Sequence, residues 1–171
     1  MKSRSSGSIL LVIGALLGFS IGYAIRGNQE IGKPVSHQIT QETYSVSRVI
    51  DGDTLDIKGG IEILLSRIRL LGIDTPERGQ PLYKEAADKL EELISGRAVS
   101  LERDNNNADR YGRALRYIIV DNQNLNVEMI RLGYARAYMF EGLKYEKQIV
   151  AAEKEAKLNK RGIWQADFNM P

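Results

Sequence analysis

Five side chains of the kinds that handle phosphate and hard cations fall in three short blocks of this sequence. The blocks are Asp51-Gly52-Asp53-Thr54, Arg69-Leu70-Leu71-Gly72-Ile73-Asp74-Thr75-Pro76-Glu77 and Asp109-Arg110-Tyr111-Gly112-Arg113. Asp53, Asp74 and Glu77 place carboxylates near strand ends, where the rim of a small barrel can gather distant segments. Crowded carboxylates repel one another unless a cation sits between them, and a hard cation such as calcium takes only oxygen ligands. Arg69 and Arg113 carry planar forks that match a phosphate bidentately. Together these groups suit attack on a phosphodiester. The metal polarises one phosphoryl oxygen, the arginines bind the others and a free carboxylate orients water.

Each block taken alone has a structural explanation. Asp-Gly is a common hairpin turn, a proline after Asp74-Thr75 denies a strand its next ladder donor, and both arginines could be solvated strand residues. The combination is what points to chemistry.

What the chain lacks narrows that chemistry. Its 171 residues include no cysteine, which removes disulfides, thiolate metal sites and cysteine nucleophiles. The one histidine, His37, lies in a polar stretch without other ligands, so neither an imidazole metal site nor a Ser-His-Asp triad is expected. The net charge is +2, but residues 44–171 hold 20 basic and 20 acidic side chains. A neutral domain exerts no general pull on nucleic acid, so positive charge for phosphate must be concentrated locally.

The elements that must position these residues read as strands first. Tyr44–Ile50 alternates, with Val46, Arg48 and Ile50 on one face and Ser45, Ser47 and Val49 on the other. Asp51-Gly52 turns into Thr54–Ile57, and after Gly59-Gly60 a third strand runs over Ile61–Leu71. Pro81 opens a helix with Leu82, Ala86, Leu90, Leu93 and Ile94 at helical spacing, closed by Gly96. Strands Ala98–Glu102 and Arg113–Val120 follow. Asn126 caps a short helix, Val127–Leu132, that stops at Gly133. Tyr145, Ile149, Ala152 and Ala156 line a last helix, and Ile163-Trp164 supplies an anchor for the barrel. Three strands, a helix and two strands are the element order of a five-stranded Greek-key OB-fold barrel in an α+β domain with about three helices.

The expected organisation is a basic segment 1–8, an apolar helix 9–25, a linker 26–43 and a domain 44–171. Ile9–Ile25 is uncharged and would rise about 26 Å as a helix, at the short end of what crosses a bilayer. It reads as a membrane anchor, or as a signal peptide cleaved near Gly22-Tyr23-Ala24. Lys2 and Arg4 precede it, which keeps the amino terminus inside. The expectation is a single-pass membrane protein with its C-terminal domain outside, the alternative a secreted one. Gly14, Gly18 and Gly22 would share a helix face, either for pairing or as ordinary small residues.

The three blocks, in this order and on this element pattern, resemble the staphylococcal (thermo)nuclease family over roughly Val46 to Trp164. The resemblance implies that Asp53 and Asp74, with the Thr75 backbone carbonyl, are calcium ligands. It implies that Glu77 orients or deprotonates the attacking water, that Arg69 and Arg113 grip the scissile phosphate, and that Tyr111 and Tyr138 lie near the nucleotide. It further implies cleavage of DNA and RNA with little sequence preference, leaving 3′-phosphate ends. The chain departs from the family pattern in its short segment Arg78–Pro81, in Phe140 where the best-known member has tyrosine, in a slightly long Thr54–Arg69 hairpin and in Arg116 at a strand position usually small. The competing readings are a non-catalytic OB-fold module that binds nucleic acid or protein, and a passive ectodomain. Neither gives a reason to hold all five central residues together.

Overall fold

The computed structural model describes residues 42–58, 67–138 and 142–165. The expected membrane segment 9–25, His37, the first part of the third strand and Phe140 lie outside the described residues. Among the described residues no helix is long and apolar enough to cross a membrane.

Strands β1 (Thr43–Asp51), β2 (Thr54–Lys58) and β3 (Arg67–Leu70) form an antiparallel meander. After helix α1 (Tyr83–Ile94), β5 (Val99–Glu102) pairs with both β1 and β6 (Ala114–Val120). A parallel pairing of β3 with β6 closes the five strands into a barrel. The expected α+β barrel with three helices is therefore present. The two-residue strands β4 (Ile73–Asp74) and β8 (Arg136–Ala137) pair with each other, and β7 (Gln123–Asn124) extends β6 as a hairpin. Helices α2 (Leu125–Arg131) and α3 (Glu146–Leu158) and a 3₁₀ turn at Gly162–Trp164 complete the chain.

Several local expectations are corrected. The strict alternation along β1 fails, because Val46 and Val49 both pack against the core. Register shifts between Val46 and Arg48, and again between Val49 and Asp51, insert extra residues and reset the side-chain period. Helix α1 begins at Tyr83, not at Pro81, because Leu82 takes a left-handed backbone with φ 66°. Its core face is Ala86, Leu90 and Ile94. The cap of α2 is Asn124, whose side chain accepts from the Val127 N–H at 3.3 Å. Asn126 is instead fully buried inside α2. Its side-chain oxygen accepts from the Ile118 N–H, and its amide nitrogen donates to the Leu71 and Arg116 carbonyls at 2.9 and 3.1 Å. A polar group there is satisfied on every side, and it ties α2 to β6 and to the turn after β3. Of the terminal anchor, Ile163 is the buried member, while the Trp164 ring lies 4.3 Å beneath the Lys157 ammonium on α3.

Arg116 points into the protein and is 0% exposed. Its Nη1 donates to the Asn107 and Leu115 carbonyls at 3.0 and 2.8 Å. Burial, then the nearby Arg103 charge, lowers its pKa. The guanidinium thus ties the β5–β6 loop to the barrel wall, a role a small residue at this position could not play.

A polar network links that loop to the start of α3. The Tyr117 hydroxyl and the Lys144 N–H both donate to Asp104 Oδ2 at 2.8 Å. The Tyr117 and Tyr145 rings meet edge to face at 4.7 Å, and the Tyr145 hydroxyl donates to Glu102. Partial burial pushes the Asp104 carboxyl up, but the Lys144 and Asn105 amides and the Tyr117 hydroxyl outweigh it and hold it below its usual value. A depressed carboxyl contributes stability above its unfolded pKa and loses it as pH falls through the folded value. Asp104→Asn should therefore cost about 1.5–3 kcal/mol at pH 7, the worth of hydrogen bonds to a charged acceptor. The difference from the parent should shrink below pH ~4, near the unfolded carboxyl value. Urea melts across pH check this, and an undiminished difference at acid pH would assign the loss to packing.

Candidate active site

The turn between β1 and β2 places Asp53. Asp51 accepts the Asp53 N–H at 3.1 Å, and Gly52 lets the turn approach α1 and the loop after β4. A Cβ at Gly52 would lie 2.7 Å from that of Ala86 and 3.0 Å from that of Thr75, closer than such atoms approach. Asp53 is 7% exposed, and it accepts from the Thr54 hydroxyl at 3.0 Å and the Thr75 N–H at 3.4 Å. Burial pushes its carboxyl up to about 6, against the pull of Arg69.

Arg69, on β3, joins the first two blocks. One terminal nitrogen lies 2.6 Å from Asp53 Oδ2, and the other lies 3.3 Å from Asp74 Oδ1. Two carboxylates 21 positions apart in sequence thus share one guanidinium. Asp74 sits on β4, and its second oxygen is taken from the other side. Arg136 Nε and a terminal nitrogen lie 3.0 and 2.9 Å from Asp74 Oδ2.

The third block is a loop organised by Asp109. Its carboxylate accepts the Tyr111 and Arg113 N–H groups at 2.9 and 3.0 Å and Arg113 Nε at 2.6 Å. Burial would raise this carboxyl, but the Arg113 side chain and the two amides hold it below its ordinary value. The bond uses the inner edge of the Arg113 guanidinium and leaves its terminal nitrogens for other acceptors. Tyr111 has two cations over its ring, with Arg110 at 4.7 Å and Arg113 at 5.6 Å from its centre.

These segments border one open cleft of about 480 Å³, lined among others by Arg69, Asp74, Asp109, Tyr111, Arg113 and Tyr138. Tyr111 and Tyr138 are 69% and 51% exposed, so two aromatic faces meet solvent beside two arginines. Asp53 joins this group through Arg69, and Thr75 joins it through Asp53. Glu77 stands apart. It is exposed, does not line the cleft, and is fixed through its backbone N–H, which donates to the Gln80 side chain at 2.7 Å.

Among the described residues no three acidic or imidazole side chains gather as a metal cluster. The donor set still fits a hard cation. Asp53 and Asp74 offer carboxylate oxygens held close enough to share one guanidinium, and the near-buried Asp53 needs a positive partner. Backbone carbonyls and water would complete such a site.

Two residues were given no role of their own by sequence reasoning, although Asp109 opens the third block. Asp109 was legible in principle, because Asp-x-x-Gly is a turn pattern in which the carboxylate accepts amides of its own loop. Arg136 left no local signal, since it meets Asp74 from 62 positions away.

The sequence model of the family described as staphylococcal nuclease homologue matches residues 67–166. The chain is 33% identical over 172 residues to a thermonuclease of Staphylococcus hyicus, covering 96% of this chain and 99% of the relative. It is 35% identical over 173 residues to a thermonuclease of Staphylococcus intermedius, with the same coverage. It is also 33% identical over 128 residues to a micrococcal nuclease of Shigella flexneri, covering 70% of this chain and 71% of the relative.

Proposed function

Because this chain belongs to the staphylococcal nuclease family and is thus a nuclease acting on nucleic acid, we propose that it is a calcium-dependent phosphodiesterase that cleaves DNA, RNA or both and leaves 3′-phosphate ends. The observation that carries this reading is the contact set in which Arg69 joins Asp53 and Asp74 at a cleft also lined by Arg113. Asp53, Asp74 and the Thr75 carbonyl would hold the cation, which when bound supplies Lewis-acid polarisation of a phosphoryl oxygen.

The remaining steps belong to the chain's own groups. Asp53 and Asp74 need the Arg69 guanidinium only while nothing else neutralises them, so the same fork serves phosphate during turnover. Arg113, steadied at Nε by Asp109, directs its terminal nitrogens to the phosphate. Tyr111 and Tyr138 flank the nucleotide with stacking faces, which tolerate any base. Phosphate-centred contacts of this kind give little sequence preference. Glu77 orients the attacking water, and its exposed position two residues beyond Thr75 leaves it open to bulk solvent.

We further infer that the apolar segment 9–25, with Lys2 and Arg4 before it, anchors the chain in the cell membrane or exports it, leaving residues 44–171 outside. Immunoblots of membrane and medium fractions test this: a cytosolic pool alone would discard it.

The function is tested by incubating the purified full chain with plasmid DNA, single-stranded DNA and RNA in millimolar calcium, then analysing product ends. Cleavage with 3′-phosphate ends is expected. Absence of cleavage on all three would overturn the assignment, and 3′-hydroxyl ends would overturn the product chemistry. Glu77→Gln should lower kcat roughly 10²–10⁴-fold, the range of general acid–base catalysis, with KM little changed because its partner is water. A rise in KM at constant kcat would instead make Glu77 a substrate contact.

A further inference from the structure

Asp74 is held at both oxygens by different arginines, and the proposed mechanism uses only one of them. Arg69 reaches Oδ1 from β3, whereas Arg136 clasps Oδ2 from β8 with Nε at 3.0 Å and a terminal nitrogen at 2.9 Å. The second contact is built into the fold. Strand β8 pairs with β4 so that Arg136 lies opposite Asp74 and Ala137 opposite Ile73. The Ala137 N–H donates to Glu153 on α3 at 2.8 Å, and the Tyr138 N–H donates to the Gly72 carbonyl at 3.0 Å. Glu153 is itself paired with Lys157 at 2.7 Å. Backbone bonds from the two residues after Arg136 therefore fix the strand that delivers it.

We propose that Arg136 is a positioning residue and counter-charge for Asp74, one that sets the cation affinity of this site low. The inference rests on the reading of Asp74 as a cation ligand. A two-nitrogen grip on Oδ2 turns the carboxylate so that Oδ1 faces Arg69, which also holds Asp53. The same grip places a permanent positive charge within hydrogen-bond distance of a ligand oxygen. That charge repels a dication and withdraws part of the carboxylate's negative charge from it. Arg136 is 45% exposed at its side chain, so water screens the repulsion without abolishing it. The result is a site that fills where calcium is abundant and stays largely empty where it is scarce.

Calorimetric titration of calcium into the full chain tests this directly, beside Arg136→Gln, Arg136→Lys and Asp74→Asn. Removing the charge in Arg136→Gln should tighten calcium binding about tenfold, as expected for one unit charge beside a dication in a half-exposed site. The calcium concentration for half-maximal activity should fall in parallel. Arg136→Lys keeps the charge and should stay within about threefold of the parent. Parental or weaker binding by Arg136→Gln would overturn the counter-charge, as would equal tightening by Arg136→Lys. Asp74→Asn separates the two levels of the reading. If it binds calcium as the parent does, or if the parent binds none, the cation site itself falls. If the Gln variant fails to fold by circular dichroism, Arg136→Met reads the same charge removal.

Discussion

Arg69→Lys lowers kcat roughly 100-fold or more while leaving the fold in place, since charge is kept and the planar fork is lost. Arg69 spans Asp53 at 2.6 Å and Asp74 at 3.3 Å with different nitrogens of one plane. An ammonium on a flexible stem is a point charge and cannot serve both in that geometry, nor grip two oxygens of a phosphate at once. The variant should still melt cooperatively, because Asp53 keeps a positive partner. Arg69→Met is the contrasting case. It strands a carboxylate that is 7% exposed, and breaking such a pair costs about 3–5 kcal/mol. Protonation of Asp53 relieves part of that loss, since burial already pushes its carboxyl up to about 6. Steady-state kinetics and thermal melts on both variants decide the matter. Near-normal turnover by Arg69→Lys would reduce Arg69 to a structural ion pair.

Chelation of divalent cations abolishes cleavage, and calcium at about 0.1–1 mM restores it, the affinity range of weak extracellular sites. The size of the loss follows from the role proposed. A metal that stabilises developing charge contributes several kcal/mol, and each 1.36 kcal/mol is about tenfold in rate, so at least a thousandfold fall is expected. The weak affinity follows from the donor set, since only Asp53 and Asp74 supply charge and both already face arginines. Activity that survives chelation would remove the cation from the mechanism. Full activity at micromolar calcium would show a stronger site than two neutralised carboxylates can make. Calcium should also raise the melting temperature in a concentration-dependent way, since a ligand of the folded state alone stabilises by mass action.

How much of the site was legible depended on how far apart its parts lie in sequence. The three blocks could be read because each is a local device. Asp51-Gly52 makes a hairpin, Pro76 ends a strand, and Asp109 folds its own loop through amides two and four residues on. The element order was legible for the same reason, as hydrophobic period and turn residues act over a few positions. Local reading failed where a bulge reset β1, where Leu82 took a left-handed backbone, and where Asn124 capped α2 so that Asn126 could be buried. In each case tertiary packing overrode the short-range pattern.

By itself, the sequence determined the family, the barrel's element order and an oxygen-only donor set, because residue types and short spacings carry that information. Only the tertiary structure decided how those residues are used. Barrel closure brings β3 beside β6, and with it Arg69 and Arg113 to one cleft. The β4–β8 pairing sets Arg136 on Asp74, and the loop after β4 leaves Glu77 exposed and outside the cleft lined by the group it was expected to join. The reason is physical: strand pairing and burial fix these contacts across tens of residues, and short-range patterns do not show which distant segments pair.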